Sequence, residues 1–129
     1  MPEQSSPAAV GARVVEIVFD CDDPERLATF WSALLGIDIK GRVREDQVWF
    51  AALLPICPDG PIIGFQHVPE AKIAKNRSHL DLRVRDLDAS ARQVASLGGR
   101  ELATHDERGR RWKVMADPEG NEFCITIAS

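Results

Sequence analysis

Apolar and polar side chains alternate in two separate stretches that share one design. In residues 16–23, Ile17, Phe19 and Cys21 fall on one face of an extended segment, and Glu16, Val18 and Asp20 fall on the other. In residues 79–86, Leu80, Leu82 and Val84 oppose His79, Asp81 and Arg83. A strict period of two marks a strand with one face in a core. Each strand leads into a helical pattern. Asp23 is placed to cap the first helix, Pro24 suits its first turn, Leu27, Phe30, Trp31 and Leu34 form its apolar stripe, and Gly36 ends it. In the second, Asp86 caps, Leu87, Ala91 and Val94 make the stripe, and Gly98 ends it. Three strand-like segments follow each helix, near 37–44, 47–54 and 61–68, and near 100–104, 111–116 and 122–128. Pro-Asp-Gly at 58–60 and Pro-Glu-Gly at 118–120 supply turn chemistry between the last two of each set.

The two stretches keep a common spacing. Glu16/His79, Asp23/Asp86, Trp49/Trp112 and Pro55/Pro118 are each 63 residues apart, and Gly36/Gly98 are 62 apart. Five landmarks in one register indicate a tandem duplication. The predicted fold class is α+β: two tandem βαβββ modules related by a pseudo-twofold axis, forming a curved mixed sheet around a cleft. The expected organisation is one domain over residues 1–129, with a tail at 1–12, module one at 13–69, a linker at 70–76 and module two at 77–129. A helix covers one face of a four-stranded sheet. The other face carries Glu16, Asp20, His79, Asp81 and Arg83, so the cleft is expected to be half polar and suited to a ligand.

Composition narrows the partners. The formal net charge of −4 leaves no basic surplus for phosphates, which argues against nucleic acid. No apolar run reaches the roughly 18–20 residues needed to span a bilayer. The start, MPEQSSPAAVGA, lacks the basic and apolar segments of a secretory signal and reads as a mobile tail up to about Gly11. Three cysteines, Cys21, Cys57 and Cys124, are an odd number without CxxC spacing, which favours free thiols and a cytoplasmic location.

The segment Asp-Pro-Glu-Arg-Leu-Ala-Thr-Phe-Trp at 23–31, with Leu-Leu-Gly at 34–36, resembles the first helix of the vicinal oxygen chelate superfamily, which includes glyoxalases, bleomycin-resistance proteins and dioxygenases. Asn76-Arg77-Ser78-His79-Leu80-Asp81-Leu82 and Asp-Pro-Glu-Gly-Asn-Glu-Phe at 117–123 resemble its module-two signatures. The likeness spans 13–128 and points to the glyoxalase-like branch. In metal-dependent members, the first and last strands of both modules supply four ligands, typically imidazole or amide, carboxylate, imidazole and carboxylate, to a divalent ion. The resemblance carries these positions onto Glu16, Gln66, His79 and Cys124, with Gly-Phe-Gln at 64–66 matched to Glu-Phe-Cys at 122–124. Only His79 is the usual residue at its position. The mixed donor set departs from the imidazole and carboxylate that nickel, iron and manganese prefer, although zinc accepts Cys, His and Glu.

The resemblance therefore implies a protein that binds a small organic molecule in the cleft, without a complete family metal site. The alternative is a divalent-metal-dependent lyase, isomerase or dioxygenase, with Glu16 and His79 moving protons as catalytic residues. Gln66, Asp81, Arg83, Trp49, Trp112 and Cys124 are the expected ligand-binding residues. Trp49 and Trp112 equally suit structural roles, and Cys124 equally suits a core. Lys72, Lys75 and Arg77 read as a solvated linker, an anion-binding rim or a dimer contact. A homodimer is expected, because superfamily members often cover their clefts across a subunit interface and Trp49–Leu54 is an apolar strand.

Overall fold

A computed structural model describes residues 10–127. Most of the expected tail (1–9) and the end of module two (128–129) lie outside the described residues. Module one comprises β1 (Glu16–Cys21), α1 (Pro24–Leu35), β2 (Ile39–Glu45), β3 (Val48–Leu53) and β4 (Ile62–His67). Module two repeats the order with β5 (Asp81–Val84), α2 (Leu87–Ser96), β6 (Arg100–Glu107), β7 (Arg110–Ala116) and β8 (Glu122–Ile127). The eight strands form two mixed sheets of four, ordered β1-β4-β3-β2 and β5-β8-β7-β6. This is the duplicated α+β fold that the repeat predicts. The strand β6 runs three residues beyond its expected end. Glu107 pairs with Arg110 across a turn in which Arg108 and Gly109 both have positive φ, so the hairpin zips to its tip.

Both helix starts follow the predicted capping chemistry. The Arg26 amide donates to Asp23 Oδ1 at 3.1 Å, and the Ala89 amide donates to Asp86 Oδ1 at 2.9 Å. Leu27, Phe30 and Trp31 are buried under α1, and Leu87 and Val94 under α2. They pack on the inner faces of the sheets, where Ile63, Phe65, Leu53, Met115, Phe123 and Ile125 complete one core shared by both modules. Trp31 reaches across from module one to meet Phe123 edge-on, with centroids 4.8 Å apart.

The β7–β8 turn clasps module one. Asp117, fully buried, accepts from Trp31 Nε1 at 3.1 Å and from the Glu119 amide, the Asn121 amide and Asn121 Nδ2 within its own turn. Burial pushes its carboxyl above the usual carboxylate range, while the Asn121 and Trp31 donors pull it back. Glu119 accepts from the Asp22 and Asp23 amides, each at 2.7 Å, and Arg26 donates to the Pro118 carbonyl. The Asp-Pro-Glu-Gly-Asn segment thus joins the modules at the β1–α1 junction.

Strand pairing corrects the internal alignment. Asp20 lies opposite Gln66 and Arg83 opposite Thr126, so Gln66 corresponds to Thr126 and Gly64, not Gln66, corresponds to Cys124. Phe50 pairs with Gln66 as Trp112 pairs with Thr126, so Phe50, not Trp49, corresponds to Trp112. The cause is a residue missing between Asp86 and Gly98 relative to Asp23–Gly36, followed by a β7–β8 turn two residues shorter than its counterpart. A one-residue slip exchanges the faces of a strand.

Candidate functional site

The sheet faces turned away from the helices have different compositions. In module one, Glu16, Val18 and Asp20 of β1 share that face with Gly64 and Gln66 of β4 and with Phe50 of β3. Glu16 folds inward over Gly64, leaving Oε2 enclosed without a hydrogen-bond partner. A Cβ at Gly64 would collide with that oxygen and come within 2.7 Å of Phe50 Cζ, so the close approach depends on glycine. In module two the corresponding face carries Asp81, Arg83, Cys124, Thr126 and Trp112, with His79 just ahead of β5. The Cys124 amide bonds to the Leu80 carbonyl at 2.9 Å, which extends the ladder and anchors the His79 backbone.

Three of the expected site residues come together here. His79 Nε2 lies 3.2 Å from Asp81 Oδ1, and donor atoms of His79, Asp81 and Cys124 all lie within 4.8 Å of one another. Trp112, Arg110 and Thr126 join them around a hollow of 270 Å³. His105 stacks on Trp112 with centroids 4.9 Å apart. The imidazole and the Asp81 carboxylate are close neighbours on an exposed face, without a hydrogen bond between them. Burial pushes the Cys124 thiol up, and the Asp81 carboxylate pushes it in the same direction, so it is a poor nucleophile at neutral pH. Arg110, Thr126 and His105 went unnoticed in the sequence. Their signal was the alternation Arg110-x-Trp112, read against the correct register of the hairpin.

On its other side His79 borders a larger cleft between the modules, of 490 Å³. Ile17, Phe19, Trp31 and Phe123 give this cleft apolar walls, and Asp20, Asn76, His79 and Asn121 give it polar edges. Glu122 also borders it, but that carboxylate is engaged. Burial works against its charge, yet the Asn76 amide at 3.0 Å and Lys72 at 3.4 Å outweigh burial and hold it below its ordinary range.

The remaining expected residues lie elsewhere. The four positions that the family resemblance assigns to a metal do not gather within one chain. Glu16 is covered by its own sheet. Gln66 borders a separate groove with Asp20, Arg26, Lys72 and Glu119. The donor set of metal-dependent members therefore does not fit this chain. Trp49 faces the helix side. There it packs under the Arg44 guanidinium at 3.7 Å and against His67, next to Arg26 and Phe30, so it walls no part of the cleft. Arg83 is exposed one row beyond the His79 cluster, on the Ile127 side.

Comparison with known proteins agrees with this architecture. No curated protein matches the chain. A glyoxalase/bleomycin resistance protein/dioxygenase family enzyme from Burkholderia phytofirmans PsJN superposes with a TM-score of 0.72 at 17% identity, covering 92% of this chain and 100% of that one. The fosfomycin resistance protein FosX from Mesorhizobium loti superposes with a TM-score of 0.68 at 14% identity, covering 94% of each chain. A glyoxylase/bleomycin resistance protein/dioxygenase domain from Frankia sp. EAN1pec gives 0.67 at 16% identity, covering 95% and 94%. These likenesses establish the fold. The family model for the glyoxalase-like domain matches residues 16–126, nearly the whole chain, and the chain belongs to that family.

Proposed function

We propose that the protein binds a small organic molecule in the cleft between its two modules, with His79 at the edge where that cleft meets the Trp112 hollow. The observation that carries the reading is the 490 Å³ cleft with apolar walls and a few polar groups at its rim. That combination is typical of small-molecule sites, whose volumes run from about 300 to 1,000 Å³. The ligand is expected to have a compact apolar body, packed on Phe19, Trp31 and Phe123, and an oxygen or nitrogen function turned toward His79 and Asn121. Amide NMR of chelator-treated protein with a library of small oxygenated fragments tests it. Shifts are expected at Val18, Asp20, His79 and Asn121. Shifts confined to the groove of Arg26 and Trp49, or none at all, would overturn it.

The working form in this reading is a homodimer in the cytoplasm. The Trp49–Leu54 argument for association weakens, because Ala51, Ala52 and Leu53 are buried within the chain. Val18, Val43 and Val48 support it instead, being apolar and exposed on the open side of module one. The free cysteines suit a reducing compartment.

A further inference from the structure

We propose that the ligand of the inter-module cleft carries a secondary amide, as in an acylated amino acid, and that the main chain of two facing strand edges holds it. The inference rests on the cleft reading above and names the chemistry of the ligand. Residues 17–20 line one wall of the cleft and residues 76–80 line the other. A sheet face presents alternate residues only, so four consecutive residues mean that β1 meets the cleft with its edge. Both β1 and β5 are outer strands, each with one side unpaired by its own sheet.

The ladders fix which main-chain groups face outward. The Ile62 amide donates to the Val15 carbonyl at 3.1 Å, and the Val68 amide donates to the Cys21 carbonyl at 2.9 Å. Bonding residues alternate along a parallel pair, so Ile17 and Phe19 are tied to β4 in the same phase. The N–H and C=O groups of Val18 and Asp20 therefore point away from β4, toward the cleft. On the other wall the Cys124 amide donates to the Leu80 carbonyl, which puts the main-chain groups of His79 on the edge away from β8. The ladder stops there, because Asn76 Nδ2 donates to the Glu122 carbonyl at 3.1 Å in place of the Leu80 amide. Among the described residues, no main-chain bond joins the two edges.

These edges select the ligand. A purely apolar molecule seated on Phe19, Trp31 and Phe123 would displace water from both edges and leave their donors and acceptors unpaired. A secondary amide supplies both kinds of partner. An acylated amino acid presents an N–H and a C=O on one side, as a residue of a neighbouring strand does, and exchanges both bonds with Val18 or Asp20. Its side chain then enters the apolar part of the cleft. A neutral amide needs no counter-charge, and the Glu122 carboxylate at the rim is already engaged by Asn76 and Lys72. The volume of 490 Å³ suits a molecule of this size.

The test titrates N-acetyl-L-phenylalanine N-methylamide into the full-length protein, beside the analogue in which an ester oxygen replaces the phenylalanine N–H. The amide is expected to bind roughly tenfold more tightly than the ester, because the ester cannot donate to a strand-edge carbonyl. Hydrogen exchange gives a second readout. In the free protein the Val18 and Asp20 amides should exchange faster than those of Ile17 and Phe19, which β4 protects. The bound amide should slow exchange at Val18 or Asp20 on one wall and at His79 on the other. Equal affinity for amide and ester would overturn the inference, as would binding that leaves exchange at Val18, Asp20 and His79 unchanged. Cleft shifts from the oxygenated fragments but none from the amide would overturn it while leaving the cleft reading intact. Silence from both sets of compounds would remove the cleft reading itself.

Discussion

At matched positions of the two open faces, module one carries Val18, Phe50 and Gly64 where module two carries Asp81, Trp112 and Cys124. Glu16 corresponds to His79, yet Glu16 is folded down onto its own sheet while His79 stands out beside Asp81. The helix-facing side differs far less. Ile17, Phe19 and Cys21 answer to Leu80, Leu82 and Val84, and all but Ile17, which walls the inter-module cleft, pack in or against the common core. A core position is constrained by close packing, whereas an open sheet face is constrained only by strand pairing. The duplicated scaffold thus holds two different surfaces, one with an apolar centre of Val18, Phe50 and Gly64 between Glu16 and the Asp20–Gln66 pair, the other with a polar centre.

The largest expected effect comes from the clasp that fixes these faces relative to each other. Asp117 uses both carboxylate oxygens as acceptors, and Trp31 Nε1 and Asn121 Nδ2 share one of them. Asp117→Asn replaces one acceptor with an NH₂ group and sets donor against donor in a buried site. The expected cost is about 3 kcal/mol, from the unmade bonds and the stranded donors. Urea unfolding should show a lower midpoint. A midpoint at the wild-type value would mean that the buried carboxylate does not hold the modules together.

Cys21, on the core side, gives the next effect. Its thiol is pushed up from 9.0 to about 12, first by burial and then by the Glu119 and Asp23 carboxylates. Above pH 9 the unfolded chain releases this proton and the folded chain keeps it. The unfolded state then binds fewer protons, so stability falls as pH rises, by up to about 1.4 kcal/mol per pH unit until about pH 12. Below pH 9 the contribution is fully present. The alkaline limb of a stability–pH profile should therefore be shallower in Cys21→Ala. Parallel limbs would place the cause in other groups.

The contrast between the sheet faces also shows what could be read from the sequence. Alternation in 16–21 and 79–84, the caps Asp23 and Asp86, and the apolar stripes sufficed for the fold, because each reports local geometry. The alignment of the later strands did not follow from a single spacing. Trp49 and Trp112 are 63 residues apart, but they lie on opposite faces, because α2 and its C-terminal turn are one residue shorter. The Gly36/Gly98 spacing of 62 already carried that information. Gly-Phe-Gln and Glu-Phe-Cys share a Phe that does not mark the register, because Phe65 corresponds to Ile125. The His79–Asp81–Cys124 cluster was half legible. The i, i+2 spacing of His79 and Asp81 puts them on one face, but the distance to Cys124 depends on which strands are neighbours.

Gly64 and Cys124 occupy equivalent positions, and their substitutions should behave differently. Gly64→Ala drives a methyl group into Glu16 Oε2 and Phe50 Cζ; the flexible Glu16 side chain can swing clear, and the stiffer Phe50 ring has to tilt. Overpacking of this kind costs about 1–2 kcal/mol. Cys124→Ala removes one sulfur from a half-exposed face and should cost less than about 1 kcal/mol. Equal losses in thermal melts of the two variants would show that the module-one face is not closed down over its glycine.

The smallest effect is expected at His79 itself. Its side chain is 44% exposed and its partner Asp81 is 66% exposed, so their contact is screened by water. Exposed ion pairs contribute about 0–1 kcal/mol, and no core residue depends on this imidazole for a hydrogen bond. His79→Ala should therefore leave the unfolding midpoint within the equivalent of about 0.5 kcal/mol, as surface changes usually do. The same variant should lose the fragment-induced shifts at Asp20 and Asn121, the polar edges facing His79 across the inter-module cleft. A residue that matters for binding and not for folding is what separates a site from a scaffold. If His79→Ala lowered stability by 2 kcal/mol or more, the imidazole would be a strut at the entry to β5. The open face of module two would then be a second platform like that of module one.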